Sequence, residues 1–265
     1  MSNAGLTIER FTSSEPGAWS NSYLISGKED AVLFDVFMLR KDAIDLAEKI
    51  KKSGKKLTHI FVSHAHPDHF MGTEAVVERF PEVEVISTEE VVADVNADGP
   101  WMLKLLQEKL GPMGPRKLIT PKVIDGDKLT LEGVELEIVS FSEGESKHVS
   151  TISIPSLKAH IVADLIYNEA HCYLVEKRPD AWLKRLDELE RMSQSRTTIL
   201  YPGHGEFGEP EMLIERTRAY LNEFLGALAS DGGKAVEEHM LKTFPNYHAK
   251  QFLSMFTIPA YFPQK

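Results

Sequence analysis

Short apolar runs separated by turn residues open the chain, and helix-spaced apolar positions come between them. Residues 21–25 and 31–36 are two such runs, parted by Gly27-Lys28-Glu29-Asp30, so they predict a hairpin. From 42 to 52 the apolar Ala43, Ile44, Ala47 and Ile50 recur at helical spacing, and Gly54 supplies a stop. The run 58–62 leads straight into a histidine-rich segment, after which 72–80 has a helical pattern. A strand over 82–86 and the start of a helix over 89–96 come next.

Gly99-Pro100, Gly111-Pro112 and Gly114-Pro115 flank a helical stretch over 101–110, so 97–117 reads as an insertion, either a lid over a site or an inert connecting helix. Residues 122–138 alternate around Asp125-Gly126-Asp127 and Glu132-Gly133, which predicts a second hairpin. Strands over 151–155 and 160–164 precede an amphipathic helix with Trp182, Leu183, Leu186, Leu189 and Met192 on one face. A last strand, 198–201, enters Pro202-Gly203-His204-Gly205, and a helix runs from 209 to 229. The tail carries Phe244, Phe252, Phe256, Tyr261 and Phe262, expected to pack on the body or on a partner chain. Mixed strands and helices joined by turns predict a layered α/β protein. We expect one domain over 1–265, with a helical C-terminal extension at 231–265.

Composition narrows the function classes. Hydrophobic residues at 42% and charged residues at 26% place the chain among ordinary globular proteins. Forty acidic against 30 basic residues give a net charge of −10, with no basic stripe, which argues against nucleic acid and anionic membrane surfaces as partners and for a small-molecule substrate. The oligomeric state is left open. A single cysteine, Cys172, makes no intrachain disulfide, so the cytoplasm is the default location. Ser2-Asn3-Ala4 has the look of a vector-derived remnant, which leaves room for a natural leader ahead of it.

The chemistry centres on His64-Ala65-His66-Pro67-Asp68-His69, placed where a strand ends and a helix begins. Residues two apart in an extended stretch face the same way, so His64 and His66 can offer nitrogens to one ion while Asp68 and His69 turn onto the helix start. With ten histidines in 265 residues, chance yields such a pattern in on the order of one chain in a thousand. A catalytic zinc-like ion needs about three protein ligands and an open position, so more ligands must come from elsewhere. Asp164, after the apolar run 160–163, and His204, between two glycines, are both strand-end candidates. Asp35 could hold a ligand histidine or cap a turn. His171 could approach the site as a substrate-binding residue or be a satisfied surface or core histidine, and Tyr167 carries a weaker signal.

Taken together, the His-x-His-x-Asp-His segment, the later strand-end Asp and the final Gly-His-Gly resemble the metallo-β-lactamase superfamily over about 21–205. The resemblance implies a four-layer αβ/βα sandwich with two metal ions in a cleft at the strand ends. It implies His64 and His66 on the first metal, Asp68, His69 and His204 on the second, and Asp164 between them. One position departs from the pattern: the register of the usual third histidine falls on Gly144-Glu145-Ser146, with Pro155 ten and Asp164 nineteen residues beyond Glu145. Glu145 keeps that register, whereas His148 needs the loop remodelled, so Glu145 is the expected ligand, with His148, or neither residue and a water or an incomplete site, as the alternatives.

Such a pair of divalent ions, zinc first and manganese or iron as alternatives, lowers the pKa of a shared water toward about 7 and makes hydroxide available. The expected activity is hydrolysis of a small ester-, lactone- or thioester-like substrate, with Asp68 orienting the hydroxide. A β-lactam hydrolase is one alternative, and a non-hydrolytic or oxygen-reactive metal module is another. Glu145 would make the centre about neutral where a histidine would leave one positive charge, which favours neutral substrates.

Overall fold

The computed structural model describes residues 5–263 apart from 195, 230 and 231. Ser2-Asn3-Ala4 and residues 231, 264 and 265 of the expected C-terminal extension lie outside the described residues. In chain order the first half contains β1 (Thr7–Thr12), β2 (Asn21–Ser26), β3 (Asp30–Phe34), α1 (Arg40–Ser53), β4 (Lys56–Phe61), α2 (Pro67–Phe70), α3 (Thr73–Val77), β5 (Glu84–Ser87), α4 (Glu89–Leu110) and β6 (Lys122–Val123). The second half contains β7 (Lys128–Leu131), β8 (Val134–Ser142), β9 (His148–Ile154), β10 (Ala159–Tyr167), α5 (Pro179–Ser193), β11 (Ile199–His204), α6 (Pro210–Ala227) and α7 (Gly233–Thr243). A π-helical turn, Phe252–Thr257, and α8 (Ile258–Tyr261) complete the tail.

The strands form two sheets, ordered β1 to β6 and β11-β10-β9-β8-β7. Within the first, β1, β2 and β3 are antiparallel while β3 to β6 run parallel. Within the second, β7 to β10 are antiparallel and β11 lies parallel to β10. The period-2 pattern explains the layers. Tyr23, Ile25, Val32, Phe34 and Phe61 point into a core shared with Leu136, Ile138, Ile152 and Ile161 of the second sheet. Their neighbours Leu24, Leu33 and Ile60 point the other way, onto Ala43, Leu46, Ala47 and Ile50 of α1. Trp182, Leu186 and Leu189 of α5 and Leu213 and Leu221 of α6 cover the second sheet. Helices therefore lie outside two facing sheets, the expected four-layer α/β sandwich.

Three elements differ from expectation. The segment 97–117 begins inside α4, which runs unbroken through Gly99-Pro100. Proline crowds the residue before it, but Gly99 has no side chain there, and a Cβ would meet Leu118 Cδ2 at 2.9 Å. The pattern over 122–138 is split between the sheets: β6 joins the first, the chain crosses over at 124–127, and only β7 and β8 form a hairpin. Glu132 and Gly133 at its turn both have positive φ, 48° and 82°, as a two-residue hairpin turn requires. Met192 is 37% exposed, because it lies beside the buried stripe of α5, which runs through Trp182, Leu186, Leu189 and Ser193. Among the described residues no helix is long and apolar enough to cross a membrane.

Glu132 also staples the two sheets at the end away from the histidines. Its carboxylate accepts the backbone N–H groups of Lys28, Glu29 and Asp30 at 2.7, 2.6 and 2.7 Å, filling the turn between β2 and β3. These bonds, the one from Asp30 foremost, hold its pKa below the ordinary 4.5. A carboxylate depressed by folding stabilises above its unfolded pKa and loses that contribution as pH falls through the folded value. The melting temperature of Glu132→Gln should therefore lie below wild type at pH 7, and the gap should close below about pH 4. A gap that is constant from pH 7 to pH 3 would contradict this.

Candidate metal centre

Three histidines are aimed by what binds their outer nitrogens. At the end of β3, Asp35 takes a left-handed φ of 62°, which Asp tolerates better than most residues. Its carboxylate accepts the Ser63 N–H at 2.7 Å, the Ser63 hydroxyl at 2.7 Å and His69 Nδ1–H at 2.9 Å. With that hydroxyl proton committed to Asp35, Ser63 Oγ accepts from His64 Nδ1 at 2.8 Å. The Ala18 carbonyl accepts His204 Nδ1–H at 3.1 Å. All three rings are thereby fixed with Nε2 facing inward. His66 alone presents Nδ1, 3.1 Å from Glu145 Oε1.

Asp164 and His204 come from adjacent strand ends of the second sheet. Between Ile161 and Ala163 the pairing of β10 with β11 shifts register, and Ala163 takes a φ of 47°. A left-handed alanine costs about 1 kcal/mol, and the irregularity turns Asp164 toward Gly203, where a Cβ would meet its Oδ1 at 1.7 Å. Gly205 has a φ of 89°, and a Cβ there would lie 1.8 Å from the Asn168 carbonyl. Each glycine beside His204 is thus required for its own reason. The first sheet clamps this loop: Tyr23 OH donates to the Pro202 carbonyl at 2.6 Å, and Asn21 Nδ2 donates to the Gly205 carbonyl at 2.7 Å.

Asp164 sits between two groups of donors, one of His64, His66 and Glu145 and the other of Asp68, His69 and His204. His69 Nε2 is 3.2 Å from Asp164 Oδ1 and 3.5 Å from Asp68 Oδ2. His204 Nε2 is 3.3 Å from Asp68 Oδ2 and 3.4 Å from Asp164 Oδ2. His64 Nε2 lies 3.8 Å from Glu145 Oε2 and 3.9 Å from Asp164 Oδ2. Two ligands held about 2.1 Å from one ion at a tetrahedral angle are about 3.4 Å apart, so most of these separations suit atoms that share a cation. His64 Nε2, Asp68 Oδ2, His69 Nε2, Glu145 Oε2, Asp164 Oδ1 and His204 Nε2 are also buried without a hydrogen-bond partner. Leaving one buried polar atom unpaired costs about 1–3 kcal/mol, and six of them converging on one spot fit the demands of bound cations.

The loop before β9 brings Glu145 into this cluster and keeps His148 out. Glu145 is buried against His66, whereas His148 Nδ1 pairs with Asp94 Oδ2 of α4 at 2.7 Å. Asp94 also accepts Lys147 Nζ at 3.0 Å. It lies one turn after Val91 on the buried stripe of α4, so a polar residue at an apolar position was the signal in the sequence.

His171 does not join the cluster. Its Nδ1 bonds Tyr220 OH at 3.0 Å and its ring packs beside Tyr247. Burial first, then Lys250, lowers its pKa to about 4. The residues that border the centre are instead Tyr167, whose hydroxyl donates to Asp164 Oδ2 and whose ring stacks on His204, and Tyr173 and Phe252, packed on His66 and His204. Tyr173 and Phe252 had no motif to mark them.

Electrostatically the cluster balances acids against imidazoles. Burial pushes the pKa of His64 well down. Burial also opposes charge on His66 and His204, yet Glu145 raises the first to about 9 and Asp164 the second to about 9. Glu145 itself is lifted to about 7, by burial chiefly.

The sequence profile described as metallo-beta-lactamase superfamily matches residues 20–204. Among solved structures, a metallo-beta-lactamase family protein from Thermus thermophilus superposes with a TM-score of 0.68 at 18% identity, covering 97% of this chain and 92% of its own. A metallo-beta-lactamase from Pontibacter korlensis gives 0.62 at 19% identity, covering 83% and 95%. DIM-1 metallo-beta-lactamase gives 0.59 at 20%, covering 82% and 97%. At such identities the likeness is one of fold.

A cation entering this cluster has to displace protons from His66 and His204, which carry them at pH 7 when their pKa values are about 9. Zinc titrated into metal-depleted protein in weak buffer at pH 7 should release about two protons or more. The apparent affinity should climb as pH rises and these histidines lose their protons. Binding without proton release would show that the histidines are not displaced.

Proposed function

This chain belongs to the metallo-beta-lactamase superfamily, and from that premise we propose that it is a hydrolase using two divalent metal ions on a small, neutral ester-, lactone- or thioester-like substrate. The observation that carries this reading is the set of buried, unpartnered donors in two groups joined at Asp164. His64, His66 and Glu145 would hold one ion, Asp68, His69 and His204 the other, with Asp164 between them. Bound ions would supply hydroxide at neutral pH and polarise the substrate carbonyl.

The chain's own residues do the rest. Asp35, Ser63 and the Ala18 carbonyl fix which nitrogen of each histidine is free to coordinate. Asp68, with His66 the least buried of the seven candidate ligands, would orient the nucleophile. Tyr167 holds one Asp164 oxygen by its hydroxyl and so fixes the carboxylate's angle. The β-lactamase names of two solved neighbours bring a β-lactam into consideration as a substrate. A carboxylate, Glu145, beside His64 and His66 favours manganese or iron more than three histidines would, which keeps oxygen chemistry as the second reading.

A panel of a neutral aryl ester, a lactone, a thioester and a β-lactam, offered to protein loaded in turn with zinc, manganese and iron, tests the activity. Turnover is expected with the ester or the lactone. His66→Ala and Asp164→Ala should lower it by more than about a hundredfold with an unchanged circular-dichroism spectrum, beyond the loss typical of groups that only support ligands. No turnover on the whole panel, or full turnover in either variant, would sink the reading. Metal analysis separates the two candidates for the third ligand: Glu145→Gln should lose close to one ion per chain while His148→Ala retains both. The reverse result would make His148 the ligand.

A further inference from the structure

An aromatic strip from the C-terminal tail leads from the surface to the candidate metal ligands. Tyr173 meets His66 edge-on with ring centroids 5.0 Å apart. Phe252 meets His204 at 5.2 Å and Tyr173 at 5.5 Å, and Phe256 reaches Tyr173 at 5.9 Å. Phe252 is buried, whereas Phe256 is 44% exposed. Both sit in the π-helical turn Phe252–Thr257, a rare geometry that is frequent at functional sites. The tail is held there by the body: Ala170 bridges to His248, and Trp19 packs on the His248 ring.

The other end of the strip is where the centre opens. Of the seven candidate ligands, His66 at 9% and Asp68 at 8% retain the most exposure, so a molecule arriving from solvent meets them first. Tyr173 spans both environments, with its ring in the strip and its hydroxyl in the field of Glu145 and Asp68. At this end of the strip the carboxylates of Asp68 and Glu145 disfavour a further anionic group.

We propose that Tyr173, Phe252 and Phe256 form a subsite for the apolar acyl or aryl part of a neutral carbonyl compound, with the carbonyl at His66 and Asp68 and the hydrocarbon along the rings. Single exposed apolar side chains are ordinary on protein surfaces. A connected strip that ends on two ligand imidazoles is a surface shaped for an amphiphile with one polar end. The proposal rests on the hydrolase reading for the carbonyl's position, and its test does not depend on turnover.

The probes are 2-alkanones from butanone to decanone, which have no leaving group to lose, and the matching alkanoates, with binding to the purified full chain followed by calorimetry or ligand-observed NMR. Each added methylene should tighten ketone binding by up to about fourfold until the strip is filled. Phe256→Ala should reduce that factor to below about twofold, and alkanoates should bind more weakly than ketones of equal length. Should the alanine variant fail to fold, Phe256→Asp places a charge at the exposed end and should weaken every ketone. A dissociation constant indifferent to chain length, an unchanged slope in Phe256→Ala, or alkanoates binding more tightly than ketones would overturn the subsite. Self-association abolished by Phe256→Ala without ketone binding would overturn it in favour of a contact between copies. A chain-length series with no ester turnover would remove the hydrolase reading and leave the subsite standing.

Discussion

Three carboxylates and four imidazoles packed into one buried spot are the constraint around which this fold is organised. Burying an unpaired charge is expensive, and burying several is tolerable only where opposite charges or cations answer them. Here Asp164 faces donors from both sheets, so neither half of the sandwich can move without disturbing the balance. The surrounding devices all serve to hold that meeting point. Asp35 reaches across from β3, Tyr23 and Asn21 clamp the loop after β11, and Asp94 pins the loop before β9.

Much of this was legible because it is local. His64, His66, Asp68 and His69 lie within six residues, and the strand before them leads into them through Ile60, Phe61 and Val62, three successive apolar residues buried on both faces of the sheet. The glycines beside His204 advertised a tight turn, and Asp164 ended an apolar run. The register that favoured Glu145 over His148 rests on counting alone, and the structure brings Glu145 to the cluster. The two-residue turn at Glu132-Gly133 and the stop at Gly54 were equally local signals.

What stayed hidden depends on distant contacts. Nothing near Pro100 tells that Leu118 will pack against Gly99 and let the helix continue. Residues 122–138 look like one hairpin because alternation reports a strand and not the sheet it joins. Phe252 reaches the centre only because the tail returns across the body from a different part of the chain. His171, two residues from Tyr173, points into a different aromatic cluster, because the segment that carries both is not a strand and the same-face rule for residues two apart does not hold there.

The clamp at Asp94 has an evolutionary side. It grips Lys147 and His148, two and three residues beyond Glu145, so the loop's course is set from outside the cluster. The identity of the side chain at 145 is thereby separated from its placement. A single codon change at that position would alter the hardness and charge offered to a cation while the backbone keeps its path. Lineages carrying such a clamp could drift between metals, as supply in their surroundings changed, without rebuilding the scaffold.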